Sequence, residues 1–140
     1  MNREDIKKLI PHREPMLLLD ELTLDEQGKA HGVYRVRGDE FFLQGHFPDN
    51  PVVPGVILCE IIGQTCSILI GDKIVGKTPY FTGIDKVKFK HPVLPGDTAE
   101  VTAFIEKSKG PFYFAYGELS VGGALCVCGH YSFALVDGKK

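Results

Sequence analysis

The sequence predicts an α+β protein in which one antiparallel sheet wraps a long central helix. Three observations lead there. The segment from Gly55 to Gly71 is apolar on nearly all sides, as in a helix buried within its domain. After it, segments alternating apolar and polar residues fill the rest of the chain, which is the period of strands. Before it, a shorter pair of strand-like segments flanks a turn. At 140 residues, 44% of them hydrophobic, residues 1–140 make one domain with enough apolar side chains for a core.

The elements follow in order. Residues 3–10 set Ile6 against Leu9 and Ile10, a small amphipathic helix that Pro11 ends. Met16 to Leu24 and Ala30 to Arg37 flank Gln27-Gly28 and read as a strand pair. Residues 39–54 are irregular, and Pro48, Pro51 and Pro54 stiffen them while removing backbone donors. Gly55 to Gly71 reads as one helix of roughly 25 Å at ~1.5 Å per residue. Val87 and Phe89 alternate with Lys86, Lys88 and Lys90. Asp97 to Lys107 sets Ala99, Val101, Ala103 and Ile105 against polar neighbours. Lys109-Gly110 turns into the strand Phe112–Ser120, and Gly122-Gly123 into Ala124–Val136. One sheet leaves part of the helix for a second copy of the chain to cover.

Composition excludes some classes. A net charge of −2 lacks the basic excess of a dedicated nucleic-acid binder. No run approaches the ~18 apolar residues of a membrane span, because Pro54, Glu60, Gln64 and Ser67 interrupt the longest apolar stretch. The N-terminus has no secretory apolar region, so a cytoplasmic setting is expected, with Cys59, Cys66, Cys126 and Cys128 as reduced core thiols.

Chemistry concentrates between Phe41 and Gln64. His46 sits in the proline-stiffened loop, and an imidazole titrating near ~6.5 suits proton abstraction at neutral pH. Glu60 lies in the apolar helix, where a carboxyl group resists ionisation and can serve as a proton donor. Gln64, four residues on, shares its helical face and could orient it. The amides of Gly55 and Val56 open the helix without intrahelical partners, at the positive end of its dipole, where a developing enolate oxygen is stabilised. A base, an acid and an oxyanion donor are what removal of water from a 3-hydroxyacyl thioester requires, with no metal or redox cofactor. By itself a histidine in such a loop is more often a loop or core residue, and neither His46 nor Glu60 alone names a reaction.

The run Gly45-His46-Phe47-Pro48-x-x-Pro51-x-x-Pro54-Gly55-Val56-x-x-x-Glu60-x-x-x-Gln64 resembles the signature of the FabZ-type (3R)-3-hydroxyacyl-[acyl-carrier-protein] dehydratases, a hotdog-fold family. Ile10-Pro11-His12-Arg13-x-Pro15-Met16-Leu17-Leu18-Leu19-Asp20 is similar to that family's N-terminal motif. Phe81-x-Gly83-Ile84-Asp85, with Phe89-Lys90-x-Pro92-Val93-x-Pro95-Gly96-Asp97, is similar to its strand after the helix. The resemblance implies a catalytic His46, a catalytic Glu60 and a Gly55 amide on the thioester oxygen, with Val56 and Gln64 as further substrate-site residues. It also implies an acyl carrier protein bearing the acyl-phosphopantetheine as partner, a role in fatty-acid biosynthesis, and a homodimer or trimer of dimers in which His46 and Glu60 meet across the dimer interface. Asp49, where the family often has glycine, and Ile61-Ile62-Gly63, in place of a more usual alanine-containing run, depart from the pattern and leave acyl-chain preference open.

Three other readings stay open: a dehydratase that also isomerises trans-2 to cis-3 enoyl chains, a hotdog thioesterase, and a non-catalytic acyl-binding protein. His12 and Arg13 read as structural, His31 as a solvated strand residue, and Cys126, Cys128 and His130 as a mixed core face rather than three metal ligands. Lys86, Lys88 and Lys90 read as one basic strand face, either simply solvated or a docking surface for the acidic carrier protein.

Overall fold

The computed structural model describes residues 1–44, 49–74 and 76–137. Helix α1 (Arg3–Leu9) starts at Asn2, whose side chain accepts from the Asp5 amide while Asp5 accepts from the Asn2 amide. Strands β1 (Glu21–Leu24) and β2 (Ala30–Arg35) come next, then helix α2 (Gly55–Thr65) and helix α3 (Ser67–Ile70). Four strands complete the chain: β3 (Lys77–Phe89), β4 (Thr98–Lys109), β5 (Phe112–Val121) and β6 (Ala124–Asp137). They form one six-stranded sheet in the order β1-β2-β4-β5-β6-β3, antiparallel at every pairing. Gly122 and Gly123, both at positive φ, make the two-residue turn that joins Val121 to its partner Ala124.

Helix α2 lies against β2, β4, β5 and β6. Leu58, Ile61 and Ile62 face the sheet and are almost wholly buried, together with Tyr34, Val101, Leu119, Val127 and Tyr131. Close approach depends on missing side chains. A Cβ on Gly117 would fall 2.4 Å from Ile62 Cγ2, and one on Gly32 would fall 2.3 Å from Thr65 Oγ1. On the rest of the helix surface Val56 is 76% exposed, while Gly63 lies beneath Phe81 of edge strand β3.

Four details depart from the sequence reading. The expected single helix is two, because hydroxyls compete for its carbonyls: Thr65 Oγ1 donates to Ile61 O at 2.9 Å and Ser67 Oγ to Gln64 O at 2.6 Å. The Cys66 amide is shared between Ile62 O and Gly63 O, which tightens the junction. Strand β1 begins only at Glu21, since side chains from α1 and α2 take the polar backbone groups of residues 16–19. Strand β3 carries two bulges, one between Asp85 and Lys88, where Lys86 adopts a φ of 50°. That extra residue breaks the alternation of Lys86, Lys88 and Lys90. Lys86 opens onto a depression with Asp85, Glu106 and His130, and Lys90 onto another beside Gly55, so they do not form one face. His31 is also not merely solvated, since its Nε2 lies 2.7 Å from Asp25 Oδ2.

The four cysteines are free. Burial pushes the Cys66 thiol up to about 12. Burial also raises Cys59, with the Tyr131 hydroxyl donating to its sulfur acting the other way. Neither thiol is therefore primed as a nucleophile. Among the described residues no cluster of His, Cys, Asp or Glu could hold a metal, and no helix is long and apolar enough to cross a membrane.

Candidate active site

Two anchors place the acidic end of the site. Arg3 donates from Nη1 to Leu19 O and Asp20 Oδ1, and from Nη2 to Leu17 O, at 2.9–3.1 Å. From the other side, Gln64 on α2 accepts the Leu18 amide on Oε1 at 2.9 Å and donates from Nε2 to Met16 O at 2.8 Å. The segment that follows Pro15 is thus held from both sides as an irregular strap across the helix.

Those contacts fix the orientation of the Gln64 amide. The backbone N–H of Leu18 demands the oxygen, and the carbonyl of Met16 demands the nitrogen. The remaining Nε2 hydrogen reaches Glu60 Oε2 at 2.9 Å, one helical turn back. His12, a few residues before the strap, brings Nε2 to 3.2 Å from Glu60 Oε2. Glu60 therefore sits among polar partners rather than in the purely apolar setting that its helix suggests.

Glu60, Gln64 and His12 form the polar end of a cavity of about 50 Å³ whose other walls include Ile10, Ile70, Phe81 and Phe133. Phe81, from edge strand β3, stacks on Phe133 with ring centroids 5.2 Å apart and closes over Gly63 of α2. A Cβ on Gly63 would stand 2.5 Å from the Phe81 ring. This is where the departure from an alanine-containing run has a physical counterpart: the missing methyl admits the ring.

At the other end of α2, Pro54 O accepts the amides of Ile57 and Leu58. The amides of Gly55 and Val56 precede the first intrahelical bond. The Phe89 ring lies over Gly55, leaving no room for a Cβ there. A polar group reaching these amides would meet donors beside an aromatic surface, where hydrogen bonds are stronger than in water.

Glu60 and Gln64 are thus adjacent, and Gly55 and Val56 lie at the start of the same helix. His46 falls outside the described residues. His12 is the residue that sequence reasoning set aside as structural. The only signal for it was its place in the N-terminal motif, since nothing local links it to a helix so far along the chain.

The sequence model of the ApeI-like family, described as ApeI dehydratase, matches residues 23–129. The 3-hydroxyacyl-[acyl-carrier-protein] dehydratase FabZ of Clostridium perfringens is 42% identical over 137 residues, covering 96% of this chain and 99% of the relative. In three dimensions the chain is similar to the dehydratase heterocomplex ApeI:P from Xenorhabdus doucetiae, with a TM-score of 0.78 and 19% identity over 96% of this chain and 91% of that one. It is also similar to the fluoroacetyl-CoA thioesterase FlK, with a TM-score of 0.68 and 16% identity over 84% and 90%. The structural likenesses establish the hotdog fold, which dehydratases and thioesterases share, and so do not choose between their chemistries. Identity along nearly the whole of both sequences does choose, and the chain belongs to the family of FabZ-type 3-hydroxyacyl-[acyl-carrier-protein] dehydratases.

Proposed function

We propose that this chain removes water from (3R)-3-hydroxyacyl-[acyl-carrier-protein] to give the trans-2-enoyl form in cytoplasmic fatty-acid biosynthesis, with His46 as base and Glu60 as acid. The observation that carries this reading is the Glu60 carboxyl, held by Gln64 at the polar end of an apolar cavity. His46 takes the α-proton while the thioester oxygen gathers charge under the Gly55 amide, with Val56 next to it at the helix start. Glu60 gives its proton to the departing hydroxyl, and water leaves. The cavity receives the acyl carbons nearest the reacting hydroxyl, and the carrier protein delivers the substrate on phosphopantetheine. None of these steps needs a metal or redox cofactor.

A second copy of the chain supplies His46. Two features support an interface at the site: Val56 on α2, which is 76% exposed, and edge strand β3, which exposes Tyr80, Phe81, Ile84 and Phe89. A homodimer, or a trimer of such dimers, follows.

The test is enoyl formation from a (3R)-3-hydroxyacyl thioester of the carrier protein. Glu60→Gln and His46→Ala are each expected to lower kcat by about a hundredfold or more, the scale of one lost acid or base. Full activity in both variants would rule out the mechanism.

A further inference from the structure

A substrate whose thioester oxygen meets the Gly55 amide and whose hydroxyl meets Glu60 lies along α2. Its carbons beyond the β-carbon then run on towards Gly63, Ser67 and Ile70, into the cavity beside Glu60. That cavity is short. Its volume is about 50 Å³, well under the ~150 Å³ of an apolar cavity that takes a benzene ring, so it holds about two carbons. Its far end is closed by Ile10, Cys66 and Ile70, all buried. Its near wall is the Phe81 ring. Phe81 pairs across the sheet with Phe133 and stacks on it, with ring centroids 5.2 Å apart, and its ring centroid is 6.2 Å from that of Tyr131. Phe133 and Tyr131 are themselves buried, and the Tyr131 hydroxyl donates to Cys59 Sγ. The ring is thus braced from behind by a packed aromatic wall. In front of it stands Gly63, where a Cβ would come within 2.5–3.2 Å of three ring carbons. Alanine at that position would keep the ring from sitting where it does.

We infer that Phe81, seated on Gly63, is the chain-length stop of this dehydratase and selects four-carbon 3-hydroxyacyl chains over long ones. The inference rests on the dehydratase reading above and on Glu60 marking the place of the hydroxyl. A four-carbon chain has one carbon beyond its β-carbon, which the cavity accepts. A ten-carbon chain has seven, and all but the first of them meet the ring. To pass, it must push Phe81 off Phe133 and Gly63 and lose that packing. A methylene that a fitted pocket does not take costs about tenfold or more in kcat/KM, so the discrimination accumulates along the chain until the ring yields. Removing the ring withdraws six carbons from a close-packed wall and leaves room for about as many acyl carbons.

The measurement is kcat/KM for the four-carbon and the ten-carbon (3R)-3-hydroxyacyl thioesters of the carrier protein, read as the ratio of the longer to the shorter. In the wild type that ratio is expected to be about one tenth or less. Phe81→Ala should raise it about tenfold or more. Adding Gly63→Leu to Phe81→Ala refills the vacated space from the helix side, and the ratio should fall back towards the wild-type value. A role of Phe81 in stability alone would lower both substrates together and leave the ratio where it was. A wild-type ratio near one overturns the inference and leaves the dehydratase reading standing. So does an unchanged ratio in Phe81→Ala, which would send the chain instead along the open groove of about 400 Å³ beside Thr78 and Tyr80. A double variant that keeps the raised ratio overturns it as well. A wild type that dehydrates neither substrate removes the dehydratase reading, and the inference with it. Melting curves and size-exclusion profiles accompany each variant. If Phe81→Ala does not fold, Phe81→Leu carries the same test, with a smaller rise in the ratio expected and an unchanged ratio overturning the inference.

Discussion

Burial alone would raise the Glu40 carboxyl, but hydrogen bonds from the Tyr34 hydroxyl and from the Arg37 and Gly38 amides outweigh it and hold the group below its ordinary value. The native carboxylate therefore binds protons less readily than the unfolded one. Its contribution to stability is complete above about pH 4.5, the ordinary value, and is lost as pH falls through the lower native value. Glu40→Gln is expected to cost about 1–3 kcal/mol near neutrality, the price of leaving such donors poorly matched. It should also flatten the acid limb of the stability profile. Urea unfolding at about pH 7 and about pH 4 measures both, and an acid limb identical to wild type would refute the assignment. Glu60 and Gln64 illustrate what is legible at this scale. They are four apart on one helix, so helical geometry alone joins them. His12 meets Glu60 only because Arg3 and Gln64 hold the intervening strap in place, and that tertiary arrangement leaves no periodicity to read.

At the scale of elements, the glycines of the interior matter more than the strands' propensities. Gly117 on β5 leaves room for Ile62 of α2, which is wholly buried. Gly117→Ala would place a methyl 2.4 Å from Ile62 Cγ2, and overpacking of that kind costs about 1–3 kcal/mol. The urea midpoint should fall at unchanged slope, and the penalty should shrink when Ile62→Ala is added. An unchanged midpoint would show that the helix can retreat freely. The central helix and the strands β4 to β6 were readable because their apolar periods are long and regular. The break at Cys66 and the bulges of β3 were not. Each depends on local competition for backbone groups that no apolar pattern records: Thr65 and Ser67 at the break, and the unmatched register against β6 at the bulges.

For the whole molecule, the shared-site reading has a direct check. Inactive His46→Ala and Glu60→Gln chains, dissociated and mixed, should recover part of the wild-type activity as heterodimers, since one of the two sites in each would be intact. Verified mixing with no recovery would place both residues in one chain. The sheet also has unequal edges: β1 is four residues long and β3 is thirteen. Only β3 offers a long unpaired border, and a border that pairs with its own inverted copy is used up in both chains at once. In the proposed homodimer, pairing along this border would end at two chains, and a trimer of dimers would use other surfaces. In that homodimer the exposed apolar strand, which would otherwise seed open-ended fibres, would become by symmetry a self-limiting joint.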